Sequence, residues 1–572
     1  MKRILLTLTA LSCFLSASGA EKEQAQKVAE GFFRQLDTRS APAAVRQVDD
    51  SGDGAYFIFE REGGGFVIVS ACDAAHPVLG FSRTGRFDPA SLPEGARELL
   101  AWTQEVLGAA SRRKMRPSGA VAAEWPDLLQ GRYRDGASEV VLETAAWSQR
   151  DPFNRLCPEI GGERCATGCV NTAAAIIMRY YKWPDAGTGK LAGYTAGGVT
   201  YEGHALGHPY DWDNMPLVYQ DGAYTEEQAN QVARLMVDLG TMSRANYGVG
   251  ITTADSDAIA GLTYYFGYSD EMKSLSRSSW ISDEKWEGII KAEIDAGRPV
   301  YYSGYKPGQN GHAFVINGYS GRYFSINYGR SNASLFLLIS PIDDYGYDLF
   351  EYNVSQSMWI NIHPDGSSAP LPVQCRGDID IAHDWAYTPE TPFDVQWTAY
   401  LTNLGPEPFE GDFALGLADP DGTVVEVVTE PFRQRIGAGE SYYRFTRYEA
   451  VLHTVVRAGQ TIRPCCKEAA GGSWSVIPVH TFVDEGIFRM VGEEPVAAGC
   501  VLDYETSDQE MLTVRFPTHT RWSLSKDGVP VEVPRAQYGK QYLRLFRSDS
   551  RRTKYTLRLF NLEDSYSLDL VL

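Results

Sequence analysis

The sequence predicts an α+β fold in which a central domain of two subdomains lies between a small N-terminal α+β unit and C-terminal all-β modules. Helical patterns precede three strand-like runs between residues 140 and 365. Beyond Pro364, apolar and polar residues alternate with the period of two that is typical of strands. The predicted segments are a leader (1–20), an N-terminal domain with a linker (21–135), the central domain (136–366), an immunoglobulin-like β-sandwich (371–490) and a small β module (495–572).

Charge and composition limit the classes of function. The 572 residues carry a formal net charge of −20, which disfavours a nucleic-acid partner. Hydrophobic residues make up 44% and aromatic residues 12% of the chain, as expected of ordered domains with cores.

The leader has the three-part pattern of a secretory signal. Lys2 and Arg3 precede an apolar run over residues 4–15, and small residues lead to a predicted cleavage after Ala20. Lipid modification of Cys13 is the alternative, which Ala10 three residues earlier disfavours. No other apolar run is long enough to span a membrane. We therefore expect the mature protein to be secreted, extracellular or at the cell surface, with the periplasm as a further option.

The N-terminal unit shows a helix through Val28 and Phe32, two strands joined by a glycine turn (56–59 and 65–70), and a second helix over residues 94–107. Residues 111–135 contain basic residues, Pro and Gly with little apolar periodicity. This stretch is predicted to be an exposed linker of the kind that proteases cut.

A glycine-bearing loop at residues 164–168 delivers Cys169 to the first turn of a predicted helix. The apolar residues after Cys169 recur at helical spacing, and Pro184 ends the pattern. The unpaired N–H groups and the dipole at a helix start favour a thiolate, which is the nucleophilic form of cysteine. The alternative is a small buried core cysteine, so partners elsewhere in the chain must decide between them.

The remaining elements of the central domain follow from local signals. Thr225 and Gln228 have capping-box spacing before a helix that Gly240 is predicted to end. Ser282 is predicted to cap another helix that closes at Gly297. Three strands are then predicted at 299–303, 312–317 and 323–328.

The other cysteines are too sparse for a disulfide framework. A Cys157–Cys165 bridge and free thiols both remain open. The spacing of these cysteines lacks the paired C-x-x-C pattern of a zinc site, and His204 and His208 lie in a Gly-rich loop rather than on a helix. We therefore predict no metal and no cofactor.

A nucleophilic cysteine needs a base, a group that orients the base, and donors for an oxyanion. His312, at the start of a predicted strand, is the candidate base, and Gly311 beside it leaves room for a substrate backbone. Asn327, at the end of the next strand, is placed to accept the imidazole N–H. Gln149, twenty residues before Cys169, is the candidate oxyanion donor together with the Cys169 backbone N–H.

At these residues the chain resembles the streptopain family of papain-like cysteine peptidases. The resemblance covers roughly residues 140–365 and extends to the N-terminal unit, which is similar to the family's propeptide. It rests on residues 147–154, 166–170, 177–180, 211–216 and 311–315, and on residues 65–70 and 77–82 in the N-terminal unit.

The resemblance implies a papain-like fold and a secreted zymogen that hydrolyses peptide bonds in proteins. It assigns Cys169 as nucleophile, His312 as general base, Gln149 as oxyanion donor and Asn327 as the residue that orients the histidine. Protein or peptide substrates and the chain's own prodomain, acting as an intramolecular inhibitor, are the implied partners.

One stretch departs from the family pattern. Where the family has Asn-Trp-Gly-Trp, this chain has Asn327, Tyr328, Gly329 and Arg330. Tyr328 offers a smaller cover for the His–Asn pair, and the charge of Arg330 disfavours a nearby imidazolium. Gly168, Gly311, Tyr328 and Arg330 are therefore the substrate-cleft candidates. The alternative function is a secreted binding or adhesion protein with weakened catalysis, attached to a surface through its β modules.

Overall fold

The computed structural model describes residues 22–36, 44–130, 138–277, 283–330, 335–339, 352–366, 371–381 and 392–480 and, beyond these, strands only, with short gaps at 53, 93, 118, 221–222, 308–309, 378 and 455–459. The predicted signal peptide, the Ser282 cap and most of the C-terminal module lie outside the described residues. The predicted fold class is confirmed.

The elements are numbered in chain order. Up to residue 141 they are α1 (Lys22–Leu36), β1 (Val45–Asp50), β2 (Tyr56–Arg61), β3 (Phe66–Ser70), β4 (Val78–Ser82), α2 (Glu94–Arg113), α3 (Gly119–Leu129) and β5 (Glu139–Val141). From there to residue 360 they are β6 (Glu159–Ile160), β7 (Glu163–Arg164), α4 (Cys169–Tyr181), β8 (Tyr194–Ala196), β9 (Val199–Tyr201), α5 (Glu226–Met242), α6 (Gly261–Phe266), β10 (Lys273–Ser276), α7 (Asp283–Asp295), β11 (Val300–Tyr305), β12 (Gly311–Ser320), β13 (Tyr323–Asn327), β14 (Leu335–Leu337) and β15 (Val354–Ile360).

The rest of the chain is built from strands. They are β16 (Val373–Arg376), β17 (Ile379–Ile381), β18 (Phe393–Asn403), β19 (Phe409–Ala418), β20 (Val424–Val427), β21 (Phe432–Ile436), β22 (Ser441–Ala450), β23 (Thr461–Glu468), β24 (Ser475–Val476), β25 (Phe488–Arg489), β26 (Val501–Tyr504), β27 (Met511–Arg515), β28 (Arg521–Lys526), β29 (Val529–Pro530), β30 (Tyr542–Phe546), β31 (Lys554–Phe560) and β32 (Ser565–Val571).

The chain forms two compact units. The first combines the described residues of Met1–Glu139, Tyr319–Ser325 and Ser334–Glu351. Its sheet runs β1-β2-β3-β4-β14, with all neighbours antiparallel. Phe81 of β4 stacks on Phe336 of β14 with ring centroids 4.9 Å apart. Residues that the sequence analysis placed in the central domain thus complete the core of this unit.

The predicted linker differs from the structure. Helix α2 extends to Arg113, and residues 119–129 form α3 rather than an exposed segment. Val121, Trp125 and Leu128 are buried in the core of the first unit, and Trp125 Nε1 donates to the Ala75 carbonyl at 3.0 Å. The helical spacing of these three residues is a weak signal because the helix is short and contains Pro126.

The second unit contains the predicted central domain and the β modules. Its first part packs α4, α5 and α6 with β11, β12 and β15 around one core. Strands β12, β11, β15 and β10 are antiparallel neighbours in that order. The predicted capping box of α5 is confirmed, since Thr225 and Gln228 exchange side-chain and backbone hydrogen bonds. This helix continues past Gly240 to Met242. A Cβ atom at position 240 would lie 2.0 Å from the Tyr247 hydroxyl oxygen, so the glycine is required for close packing rather than for the helix end.

The β-sandwich follows in the same unit. One sheet has the order β16-β18-β17 with β22 also paired to β18, and the other has the order β20-β19-β23-β24 with β21 also paired to β19. Inward residues of both sheets form one apolar core that includes Trp397 and Phe413. Alternation along β18 is strict, as the sequence predicts. No helix among the described residues is long and apolar enough to cross a membrane.

A buried carboxylate braces the loop before α5. Asp238 on α5 is fully buried, and its two oxygens lie 2.8 Å from His204 Nε2 and from His208 Nε2. Tyr210 donates its hydroxyl to Asp238 at 2.7 Å. Burial raises the pKa of Asp238, but the contacts with His204, His208 and Tyr210 outweigh burial and hold its pKa below the usual value.

We expect Asp238→Asn to destabilise the protein at pH 7 by about 1–3 kcal/mol, because it disrupts buried hydrogen bonds. A carboxylate whose folded pKa is depressed stabilises the fold above its unfolded pKa, and this stabilisation is lost as pH falls through the folded pKa. The difference between variant and wild type should therefore shrink below about pH 4. Urea unfolding followed by far-UV circular dichroism at several pH values measures both effects. The exposed Asp394→Asn serves as control, and an equal midpoint for Asp238→Asn and wild type at pH 7 would contradict the expectation.

Candidate active site

Cys169 is the first residue of α4. Gly168 before it has φ 92° and ψ 143°, a conformation that residues other than glycine rarely adopt. A Cβ atom at position 168 would lie 3.0 Å from Thr252 Cγ2. The glycine of the predicted loop is therefore required for the turn that delivers the cysteine to the helix start.

Buried hydrogen bonds hold this turn. Thr172 Oγ1 donates to the Gly168 carbonyl at 2.9 Å and lies 2.9 Å from Thr167 Oγ1. Asn171 Nδ2 donates to the Thr167 carbonyl at 2.7 Å, and its Oδ1 accepts from Ser243 at 2.7 Å. The polar residues of the first helical turn thus lock the loop rather than contact solvent.

The Cys169 thiol is partly exposed and lies against β12. Burial raises its pKa, while the N–H groups of Ala313 and Val170, which point at the sulfur, and the charge of Arg330 act in the opposite direction. Burial outweighs these groups, so the thiol is protonated near neutral pH in the full chain. Ala313 directly follows His312, so the sulfur contacts the backbone of β12 one residue from the candidate base.

His312 lies on β12 and is only 4% exposed. Its Nε2 is 2.8 Å from the Tyr328 carbonyl, so this nitrogen donates a proton and Nδ1 carries the lone pair. Burial, and then the charge of Arg330, lower its pKa to about 3. No hydrogen bond joins the imidazole to the Cys169 thiol in the described part of the chain. The His312 imidazole and the Cys169 thiol are both neutral in the full chain.

Aromatic rings enclose the imidazole. Tyr328 lies nearly parallel to it, with ring centroids 6.1 Å apart and an interplanar angle of 22°. Phe314 and Tyr352 lie 6.0 Å and 5.3 Å away by the same measure. The ring of Tyr328 therefore lies over the imidazole, in the covering position that the sequence predicts. Tyr352 was not predicted as part of the site, because it belongs to no regular element and follows a stretch without apolar periodicity.

Asn327 forms no hydrogen bond with His312 among the described residues. Its Nδ2 donates to Thr144 Oγ1 at 3.1 Å and to the Ala145 carbonyl at 2.8 Å, and its Oδ1 accepts from the Gly329 N–H at 3.1 Å. This corrects the direct hydrogen bond that we expected between Asn327 and the imidazole. The amide instead holds the turn that presents the neighbouring Tyr328 carbonyl to His312, and its part in catalysis stays a prediction.

Gln149 lies beside the cysteine loop. Its carbonyl accepts from the Thr167 N–H at 3.2 Å, which holds it two residues from Cys169, and it is half-buried. Its role as oxyanion donor stays a prediction. Of the four cleft candidates, Gly168 and Tyr328 are buried, whereas Gly311 and Arg330 keep exposed surface. Tyr328 packs on the imidazole rather than lining an open cleft.

Cys157 and Cys165 are free thiols, as are Cys72, Cys375, Cys465 and Cys466. Cys157 and Cys165 share a small buried cluster with Ala245 and Tyr247. Burial raises the pKa of Cys157 to about 12, so this thiol is inert near neutral pH. The sequence left open either a Cys157–Cys165 disulfide or two free thiols, and the structure has free thiols.

Comparison with known proteins agrees with the motifs. The sequence profile of the Peptidase C10 family matches residues 147–334. Active wild-type interpain A of Prevotella intermedia is 33% identical over 39% of this chain and 95% of its own, with a TM-score of 0.36. The chain therefore carries a Peptidase C10 domain. The predicted resemblance to the streptopain family is confirmed, and this domain is of the cysteine-type peptidase class.

Other C10 relatives extend the match toward the N-terminus. Streptopain of Streptococcus pyogenes is 29% identical over 304 residues, which are 50% of this chain and 73% of streptopain. The thiol protease/hemagglutinin PrtT of Porphyromonas gingivalis is 31% identical over 402 residues, 65% of this chain and 45% of PrtT. The chain thus spans less than half of PrtT. Residues 17–107 match the Spi protease inhibitor profile, so an inhibitor-like domain precedes the C10 domain.

The charge of Arg330 lowers the pKa of Cys169 and the pKa of His312. It therefore favours the thiolate of Cys169 but disfavours the imidazolium of His312. We expect Arg330→Gln to raise both, so that less thiolate is present at pH 7 and alkylation of Cys169 by iodoacetamide becomes severalfold slower. Mass spectrometry of the Cys169 peptide over time measures the rate.

The exposed Arg435→Gln is the matched control and should alkylate Cys169 at the wild-type rate. Faster alkylation in Arg330→Gln would show that the guanidinium does not act on the thiol.

Proposed function

We propose that this protein is a secreted cysteine endopeptidase, made as a zymogen, that hydrolyses peptide bonds in proteins. The observation that carries the proposal is the arrangement around Cys169. Its sulfur lies at a helix start against the N–H of Ala313, the residue after His312, and the Nε2 of that histidine is held by a carbonyl. That hydrogen bond leaves the Nδ1 lone pair free to accept a proton.

In the proposed mechanism, the Cys169 proton passes to His312 Nδ1 and the sulfur attacks the scissile carbonyl carbon. The Cys169 backbone N–H and the Gln149 side chain stabilise the oxyanion. The imidazolium then protonates the leaving amine as the C–N bond breaks. Water attacks the resulting thioester with His312 as base, and the carboxylic acid and the free thiol are released.

The inhibitor-like domain supports synthesis as a zymogen. Residues 21–135 act in this proposal as an intramolecular inhibitor until the chain is cut between residues 111 and 135. The neutral thiol and neutral imidazole of the full chain fit a resting form, because the reaction needs the proton to move from sulfur to nitrogen. Activation must therefore make His312 easier to protonate.

The predicted signal peptide supports an extracellular location. Protein or peptide substrates follow from the peptidase domain. The β modules are proposed to attach the enzyme to a surface.

A second candidate is a secreted binding protein with weakened catalysis. The lowering of the His312 pKa by Arg330 favours it, because a cation beside the imidazole opposes its protonation in the reaction.

Hydrolysis of denatured casein by the purified full chain, with reductant, tests the proposal. Wild type should release peptides and lose its N-terminal domain on a gel, and Cys169→Ala should do neither. His312→Ala should lower the rate by about 10²–10⁴-fold, the usual contribution of a general base. The matched control His453→Asn replaces an exposed histidine of the sandwich and should keep full activity.

Two outcomes count against the endopeptidase. If Cys169→Ala released peptides at the wild-type rate, Cys169 would be excluded as the nucleophile. The binding protein would be favoured if wild type released peptides no faster than Cys169→Ala, both before and after removal of the N-terminal domain by trypsin.

A further inference from the structure

A cavity of about 270 Å³ lies between the peptidase part and the β-sandwich within the second unit. One wall is the end of α5 together with residues 255–261, and the other is the outer face of β16 and β18. None of the residues proposed for catalysis lines it.

Sheet register builds the sandwich wall. Gln374 and Arg376 of β16 lie opposite Thr402 and Tyr400 of β18, and all four line the cavity. Cys375 between them points into the sandwich core. Arg376 forms an ion pair with Asp257 across the interface, so its charge is neutralised.

The amide of Gln374 has a defined orientation. Thr263 Oγ1 donates its only proton to the Ala260 carbonyl at 2.8 Å, so it can only accept from Gln374, whose nitrogen lies 2.6 Å away. Gln374 Oε1 is therefore the free end of the amide. It is buried without a hydrogen-bond partner among the described residues.

His480 supplies a second unsatisfied acceptor. It is fully buried, and its Nδ1 lies 2.6 Å from the Met272 carbonyl, so Nδ1 carries the proton. Nε2 then holds a lone pair, and it has no partner among the described residues. Leaving two buried acceptors unpaired is unfavourable, because each has lost its hydrogen bonds to water. A ligand with N–H donors in this cavity would remove that cost.

Two charges complete the lining. Asn246 and Thr253 form an isolated antiparallel β-bridge. Arg244 lies two residues before Asn246 and Asp255 lies two residues after Thr253, and both line the cavity. Neither forms an ion pair within the described ranges, and Arg244 donates instead to the Ala438 carbonyl at 2.9 Å. Arg244 also has φ 53°, a left-handed conformation that is unfavourable for a non-glycine residue. The cavity thus offers one carboxylate and one guanidinium without opposite partners.

We propose that this cavity binds a small zwitterionic amino compound, such as a free amino acid or a dipeptide. Its ammonium group binds Asp255 and the acceptors of Gln374 and His480, and its carboxylate binds Arg244. This proposal does not depend on the proposed peptidase activity.

Isothermal titration of the full chain tests this site. Cys169→Ala serves as background so that the protein stays uncut. The probes are glycylglycine, ethylamine and acetate at equal ionic strength. We expect glycylglycine to bind at least tenfold more tightly than ethylamine or acetate. Asp255→Asn and Arg244→Met should each weaken its binding at least tenfold, with unchanged circular dichroism, while the exposed Arg435→Met should bind like the background protein.

Absence of glycylglycine binding would mean that the cavity holds water only and would overturn the proposal. Binding unchanged in both Asp255→Asn and Arg244→Met would place the ligand elsewhere, the Cys169 site included, and would overturn it as well. Equal affinity for ethylamine and glycylglycine would reject the zwitterion.

Discussion

Burial of the His312 imidazole controls the chemistry of the candidate site. Aromatic rings take the place of water around it, and one carbonyl accepts its Nε2 proton. An imidazolium in such surroundings loses its hydration, which is why the pKa falls to about 3. The same surroundings strengthen the hydrogen bond that selects the tautomer. A site that is well ordered for catalysis is therefore also poorly disposed to form the thiolate–imidazolium pair.

Helix α4 fixes where the sulfur meets this histidine. Its buried side packs in the main core of the second unit, and its first turn is tied to the loop before it by Thr172 and Asn171. Gly168 allows the abrupt change of direction at the helix start. Since both ends of this junction are held, the backbone of Cys169 cannot move away from β12 without breaking buried hydrogen bonds.

The β-sandwich is joined to the peptidase part by specific polar contacts. Arg376 pairs with Asp257, Tyr265 donates to the Leu404 carbonyl, and His480 donates to the Met272 carbonyl. These contacts leave a polar cavity with unsatisfied acceptors rather than a fully packed interface. Because the residues 255–261 that line it follow the loop containing Thr252, which packs on Gly168, the interface and the cysteine loop share one segment of chain.

Local patterns in the sequence are enough to place the elements that carry the site. Apolar spacing predicted α4, the Thr225–Gln228 pair predicted the start of α5, a short apolar run predicted β12, and alternation predicted β18. These are local patterns that depend on helix and strand periods. Contacts between distant segments establish the rest: Asn327 binds Thr144 and Ala145, a carbonyl holds His312, and Trp125 is buried within a stretch that has the composition of a linker. A polar side chain has several possible partners, and the choice among them is made by chain segments far away in sequence.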